Sequence, residues 1–366
     1  MHSDSDNATT QLTKAVPTLK ILGLAALVVV ALSVPHTLGN AYLLAAAVVI
    51  LNYAVCATGW NFMGGFTGYI SFGHAAYFGL GAYGTGLLIN RLGMSSFLAV
   101  GVAVVLVSLI AIPVGVAGLR LRGASFVIAT IAFVLIVLLV AQSWSAVTGG
   151  SSGMEVPRPF PGLLRPEHHL RFYYLYLGLL AVALLVWWLI DRSRFGMRLK
   201  AIREDEDKAR ALGVPTTEYK LIAFVLSAAF TAAAGGFYAL WFGDLDPVFQ
   251  FSILLGAYMV LMALVGGIRS LFGPLLGAIL VGFALEYFKL NYGDTQIHLT
   301  ATGVLLVLVV LFMPDGIIPG LRDLVNRYLR RGETSIREQT AEDLLEAQRK
   351  SAAEAELEPM VNGVSR

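Results

Sequence analysis

Residues 97–119 read FLAVGVAVVLVSLIAIPVGVAGL, 23 consecutive positions without a charged side chain, closed by Arg120. A soluble amphipathic helix carries an apolar stripe on one face only, whereas this run is apolar all round. Crossing a bilayer requires about 20 mainly apolar residues, because the hydrocarbon layer is roughly 30 Å thick and leaves no backbone polar group a partner outside the helix. The same criterion, carried along the chain, gives candidate spans at 21–37, 41–61, 70–90, 97–119, 125–142, 172–190, 219–241, 252–265, 273–290 and 299–313. The span at 252–265 is short and glycine-bounded, so the count stands between eight and ten. The expected fold class is an all-α integral membrane protein.

Composition agrees with this reading. Hydrophobic residues make up 57% of the 366 positions and charged residues 14%, against about 45–50% and 25% in soluble chains. A net charge of +2 gives no basic field of the kind a nucleic-acid partner needs. The single cysteine, Cys56, has no second cysteine for an intrachain disulfide and no companions for a metal site. No Gly-x-x-x-x-Gly-Lys-Ser/Thr loop occurs, so nucleotide binding of that kind is not expected in this chain. No paired acids or nucleophile–histidine set lies at a span end, so no catalytic residue, metal or cofactor of its own is expected. Acids within the spans are scarce. Glu286 is the main exception, and Lys289 follows three positions on, where the two could pair near the interface.

Lys14 and Lys20 precede the first apolar run in the manner of a signal peptide. No clear small-x-small cleavage motif follows, and Pro35-His36 lead straight into a second run, so an uncleaved span is the expectation. Lys and Arg accumulate on the cytoplasmic side of short loops. With ten spans and a cytoplasmic N-terminus, Arg120, Arg122, the basic residues of 191–217, Arg269 and the tail from Arg322 fall inside. Both termini are then cytoplasmic. The expected organisation is a cytoplasmic segment 1–20, a transmembrane domain 21–320 and a charged cytoplasmic tail 321–366. Within the domain, 143–171 forms an external loop and 191–217 a charged cytoplasmic loop.

Three segments carry candidate functional residues. In 64–84 glycine is dense between two apolar runs. Non-helical backbone at membrane depth survives only inside protein or beside a watery cavity, so 64–68 is expected to break the helix near a path. Gly64, Gly65, Gly68, Ser71, Gly73 and His74 are the candidates there. Close helix packing explains the same glycines equally well, and His74 fits either a substrate contact or a hydrogen-bonded structural role. A second break at 264–278 contributes Gly266, Gly267 and Gly273. Paired breaks in two halves of a transporter point to the translocation path. The third segment, 196–215, reads as a short capped helix. Glu204, Asp205, Glu206 and Asp207 suit a helix N-terminus, Lys208 and Arg210 follow, Gly213 fits the position just past the end, and Pro215 stops it. Such a helix can dock into a partner's groove, and Ala201, Arg203, Glu204, Asp205, Ala209, Leu212 and Gly213 are its candidate coupling residues.

The stretch Gly68-Tyr-Ile-Ser-Phe-Gly-His-Ala-Ala-Tyr-Phe-Gly-Leu-Gly-Ala-Tyr83 resembles a signature of branched-chain amino acid ABC transporter permeases of the LivM type. Residues 201–213, followed by 219–224, are similar to that family's cytoplasmic coupling loop. Ala129-Thr130, Thr148-Gly149-Gly150, Gly266-Gly267 and Gly273-Pro274 match further landmarks, and the likeness runs from about Leu51 to Pro314. The resemblance implies the ABC importer permease fold in a bacterial inner membrane. It implies a LivH-type second permease chain and two ATPase subunits that use ATP and Mg. An extracytoplasmic binding protein would deliver branched-chain or related hydrophobic amino acids. Permeases for urea or short-chain amides share the same plan and are the alternative on substrate. An ATP-independent secondary transporter is a further alternative, and the scarcity of buried ionisable groups speaks against it.

Overall fold

The computed structural model describes residues 29–37 and 39–292, together with the isolated positions 300, 303, 304, 307, 316, 317 and 320. Of the expected first span only 29–37 is described, and it is helical. The segment 1–20, most of the tenth span and the tail 321–366 lie outside the described residues. The chain divides after Gly316 into two units. The first unit holds every element between Ala41 and Tyr292.

From Ala41 onward, and apart from the four-residue turns Ser145–Thr148 and Pro247–Gln250, the described α-helices are α1 (Ala41–Thr67), α2 (His74–Leu92), α3 (Ser96–Gly118), α4 (Ala124–Ser143), α5 (Arg165–Arg192), α6 (Arg194–Glu204), α7 (Glu206–Ala211), α8 (Thr216–Phe242), α9 (Ile253–Gly266) and α10 (Gly273–Tyr292). Among the described residues, seven helices are long and apolar enough to cross a membrane. They are α1, α3, α4, α5, α8, α10 and the stretch Pro247–Gly266 that contains α9. A polar sequence keeps α2 out of that set. Eleven of its 19 residues are buried, so protein rather than lipid covers it, and its glycines, tyrosines and histidine are tolerated.

Burial sorts centre from rim. Half or more of the most apolar stretch is buried in α1 and α8, but 22% in α4 and 28% in α3. The charge-free α3 and α4 turn Val105, Leu109, Ile128, Ile136 and Leu139 outward at 56–67% exposure. Water would expel that apolar surface, whereas lipid covers it without cost. The multi-pass membrane assignment therefore rests on an inverted pattern, with the most apolar helices the least buried.

The centre is α8, packed against α1, α2 and α3, with α5 and the α9–α10 pair against α1. Small residues allow the backbones to touch. A Cβ on Gly81 would lie 2.1 Å from the Ala232 carbonyl oxygen, and one on Gly235 would lie 2.0 Å from that of Phe78. Trp60, Phe62, Tyr77, Phe78 and Tyr176 fill the remaining volume.

Three boundaries differ from the sequence expectation. First, α1 continues through Gly64 and Gly65 and stops only at Gly68, which adopts φ 75°. Gly64 and Gly65 are there for space, since Cβ atoms would reach 2.2 Å from the Trp60 ring and 2.3 Å from Asn61 Oδ1. Second, α5 begins at Arg165 instead of 172, with a proline in its first turn followed by Glu167. A helix can start in the interfacial region, and these residues favour its start. Third, 194–211 forms two helices. Asp205, at φ −162°, ends α6 and caps α7 by accepting from the backbone N–H of Asp207 and Lys208 at 3.1 and 3.0 Å. The short run at 253–266 gains length from a helical turn at Pro247–Gln250, offset at Phe251 and Ser252. The expected Glu286–Lys289 pair is not among the described ion pairs, and Glu286 accepts instead from the Tyr42 hydroxyl at 3.2 Å.

The 143–171 loop is tied down. Its strand β1 (Met154–Glu155) pairs antiparallel with β2 (Asp244–Leu245), Met154 opposite Leu245 and Glu155 opposite Asp244. Thr148 donates to the carbonyls of Ala141 and Trp144 at 2.5 and 2.9 Å, folding the Thr-Gly-Gly turn back over the end of α4.

Candidate functional site

The loops fall into two groups at opposite ends of the bundle. At one end the turn after α1, the end of α3, α6, α7, the start of α8 and the α9–α10 turn adjoin one another. The α6–α7 unit is locked onto this end. Ser193 accepts from the N–H of Gly196 at 3.1 Å to start α6, and Leu199 and Ile202 turn into the core. Arg203 Nη1 donates to the Gly65 carbonyl at 2.8 Å. The packing of α7 depends on Ala209, which is buried, and on Glu206.

Glu206 is a hub. One carboxylate oxygen accepts from Lys220 Nζ at 2.7 Å, Arg210 at 3.0 Å and Thr216 at 3.3 Å, with Arg122 at 3.6 Å. The other accepts from the Tyr69 hydroxyl at 2.7 Å. Lys220 Nζ also donates to that hydroxyl at 3.0 Å and reaches the Leu119 carbonyl at 3.5 Å. Side-chain exposure is 2% for Lys220 and 10% for Glu206. Burial works to raise the Glu206 pKa, but the hydrogen bonds from Lys220 and Tyr69 and the flanking cations outweigh it, and the carboxyl titrates below its ordinary value. Burial and the adjacent carboxylate push the Tyr69 phenol up, so it stays a donor. Asp205 is held low by the Lys208 backbone N–H it caps and by the Lys208 side chain, and Asp207 by its two-pronged hydrogen bond from Arg122.

From Tyr69 the chain runs through a pinned non-helical segment into α2. Trp60 Nε1 donates to the Ser71 carbonyl at 2.7 Å, and Thr130 Oγ1 accepts from the N–H of Phe72 at 3.2 Å. His74 Nε2 meets Ser227 Oγ at 2.5 Å, and that hydroxyl donates to the Gly59 carbonyl at 2.6 Å. One contact chain thus joins α2, α8 and α1. The second glycine break arrives beside the first, for a Cβ on Gly65 would lie 2.5 Å from the Ile268 carbonyl oxygen. Gly266 and Gly273 allow the backbones of α9 and α10 to meet there, and Gly267 turns at φ 108°.

Residues 42–313 match the family model described as branched-chain amino acid transport system / permease component. The chain belongs to this family. Among its relatives, the high-affinity branched-chain amino acid transport system permease protein LivM of Escherichia coli K12 is 28% identical over 326 residues, 82% of this chain and 75% of the relative. LivH of the same organism is 29% identical over 283 residues, 73% and 91% of the two chains. BraD of Pseudomonas aeruginosa is 27% identical over 283 residues, with the same coverage. No solved structure matches.

In this permease-family chain the predicted path residues divide into two groups. Gly64, Gly65, Gly266, Gly267 and Gly273 gather where α1 meets the α9–α10 turn, while Gly73 lies against Thr130 of α4, His74 meets Ser227 of α8 and the Ser71 carbonyl is held by Trp60 of α1. All eight are buried, and Gly68 is exposed. Of the predicted coupling residues, Leu212 is 86% exposed, and Ala201, Glu204 and Gly213 are exposed as well. Arg203 and Asp205 are half-buried. Ala209 is 3% exposed, so its methyl serves this chain's own packing. Sequence reasoning passed over Glu206, Lys220 and Tyr69 as site residues. A lysine one turn into an apolar helix was the available signal, since a charge there demands a partner. It also passed over Asn61, whose buried amide has no hydrogen-bond partner among the described residues and sits beside the junction of the two glycine breaks.

Proposed function

We propose that this chain is one of two homologous permease subunits of an ATP-driven importer in a bacterial inner membrane, passing branched-chain or related hydrophobic amino acids inward. Both termini lie in the cytoplasm, ten spans cross the bilayer, and the chain itself performs no bond chemistry. Two ATPase subunits bind ATP and Mg on the cytoplasmic side, and an extracytoplasmic binding protein delivers the substrate. Similarity to both LivM and LivH supports a paired arrangement of related chains.

The observation that carries the reading is the α6–α7 unit. It is a polar two-helix projection, anchored through Glu206 and Arg203, that leaves Leu212 at 86% exposure at its tip. An exposed leucine on a rigid charged mount suits the rim of a groove on another chain. Closure of the ATPases moves this unit and tilts α8, which begins five residues after it, changing which side of the path is open. The path can lack ionised groups because an amino acid is a zwitterion that helix ends and amide groups can meet.

The test is Leu212→Glu in the assembled importer. Leu212 makes no core contact, so membrane insertion and yield stay at wild-type levels. ATP-dependent leucine uptake falls on the order of tenfold or more, since losing a buried apolar anchor to a charge costs about 1.4 kcal/mol or more and about 1.4 kcal/mol corresponds to tenfold. Full uptake by this variant removes the docking assignment.

A further inference from the structure

We propose that Tyr69, Glu206 and Lys220 form the joint through which movement of the α6–α7 unit reaches α2, with Tyr69 as its positioning residue. The inference rests on the importer reading above and adds which side chains transmit the motion.

Geometry carries it first. Because α7 has six residues, its place against the spans is set by side chains rather than by its own length. Glu206 divides its two oxygens between different parts of the molecule. One faces Lys220 and Thr216 at the start of α8, and the other faces Tyr69 in the segment before α2. Tyr69 lies five residues before His74, the first residue of α2. The intervening backbone has no helix to absorb a displacement and is pinned at Ser71 and Phe72 by Trp60 and Thr130. A shift of Glu206 therefore pulls on the entry of α2 and, through His74 and Ser227, on the α1–α8 contact.

Burial carries it second. A charge pair at 2% and 10% exposure is costly to desolvate, and apolar side chains of the same volume would hold the elements together as well or better. What an apolar contact lacks is direction. Bonds of 2.7 Å from a carboxylate to a phenol and to an ammonium fix α7 against both targets at once. By contrast, Lys200–Asp191 and Lys208–Asp205, at 34–83% side-chain exposure, are screened by water and fix little.

The experiment is Tyr69→Phe in the complete importer, purified with its ATPases and binding protein and reconstituted in vesicles. ATP hydrolysis and accumulation of labelled leucine are measured together, with labelled urea as the second probe. The substitution removes one oxygen and leaves the ring packed edge-on against Phe126. The expected result is hydrolysis within about twofold of wild type and uptake lower on the order of tenfold, so that more ATP is consumed per solute moved. A second variant, Glu206→Gln with Lys220→Met, removes both buried charges together, avoids leaving one unpaired, and shifts the ratio the same way. A loss of folded protein would lower both rates in proportion. An unchanged ratio in Tyr69→Phe, with wild-type uptake still dependent on ATP, overturns the joint alone. Wild-type uptake that proceeds without ATP overturns the importer reading and the joint with it.

Discussion

Glu206 keeps its charge in a nearly dry site because four donors converge on it, and this has a consequence for pH. Asp205, Glu206 and Asp207 are all held below the ordinary carboxylate range by partners present only in the fold. A depressed native pKa stabilises the fold fully above the free-chain value, about 4 for a carboxylate, and the contribution is lost as pH falls through the native value. The α6–α7 unit should therefore keep its protection from about pH 8 down to about 4 and loosen only below that. Hydrogen exchange across 194–211, corrected for its intrinsic pH dependence, is the measurement. Loss of protection already at about pH 6 would mean the carboxylates are not paired as described. The sequence made the cluster 203–210 visible as charge, yet it concealed the pairing. Tyr69 stands 137 positions from Glu206, and only the packing of α1, α3 and α8 brings the phenol, the Leu119 carbonyl and Lys220 to one point.

At the scale of elements, long apolar runs were legible because the bilayer imposes their length. Ends and joints were less so. Four acids in a row, 204–207, look like one helix start, but Asp205 alone turns its side chain back to cap α7 and so divides the segment. Similarly, Gly64 and Gly65 look like a helix break when read alone, whereas the bulk of Trp60 and Asn61 makes them spacers. Spacer glycines and free ones are separable by experiment. A Cβ at Gly277 would lie 1.7 Å from the Met262 carbonyl oxygen, while one at Gly101 meets nothing within 4 Å. Gly277→Val should force α9 and α10 apart and destabilise the protein by at least about 2 kcal/mol. Gly101→Ala should raise stability by about 0.5–1 kcal/mol through the helix preference of alanine. Thermal unfolding in detergent reads both signs, and equal effects would contradict the close crossing.

For the whole molecule, the tertiary contacts divide the loops without any appeal to charge. Arg203 with Gly65, Glu206 with Tyr69, Arg122 with Asp207 and Gly65 beside Ile268 define one end. Asn90 with Glu155, Arg91 with Ala146 and His168 with Trp241 define the other. Of the Lys and Arg residues, the first end holds Arg120, Arg122, Arg192, Arg194, Arg198, Lys200, Arg203, Lys208, Arg210, Lys220 and Arg269, and the second holds Arg91, Arg158, Arg165, Arg171 and Lys289. Charge and contact thus give the same partition independently, and the excess of Lys and Arg predicts that the first end faces the cytoplasm. Thiol labelling decides it with little background, since Cys56, the one native cysteine, is fully buried. A membrane-impermeant maleimide should label Pro157→Cys on intact spheroplasts and leave Leu212→Cys untouched, and inverted vesicles should reverse the two. Labelling of Leu212→Cys from the outer face would put the α6–α7 unit out of reach of any cytoplasmic ATPase, and labelling of both sites from one side would mean the helices do not run end to end as described.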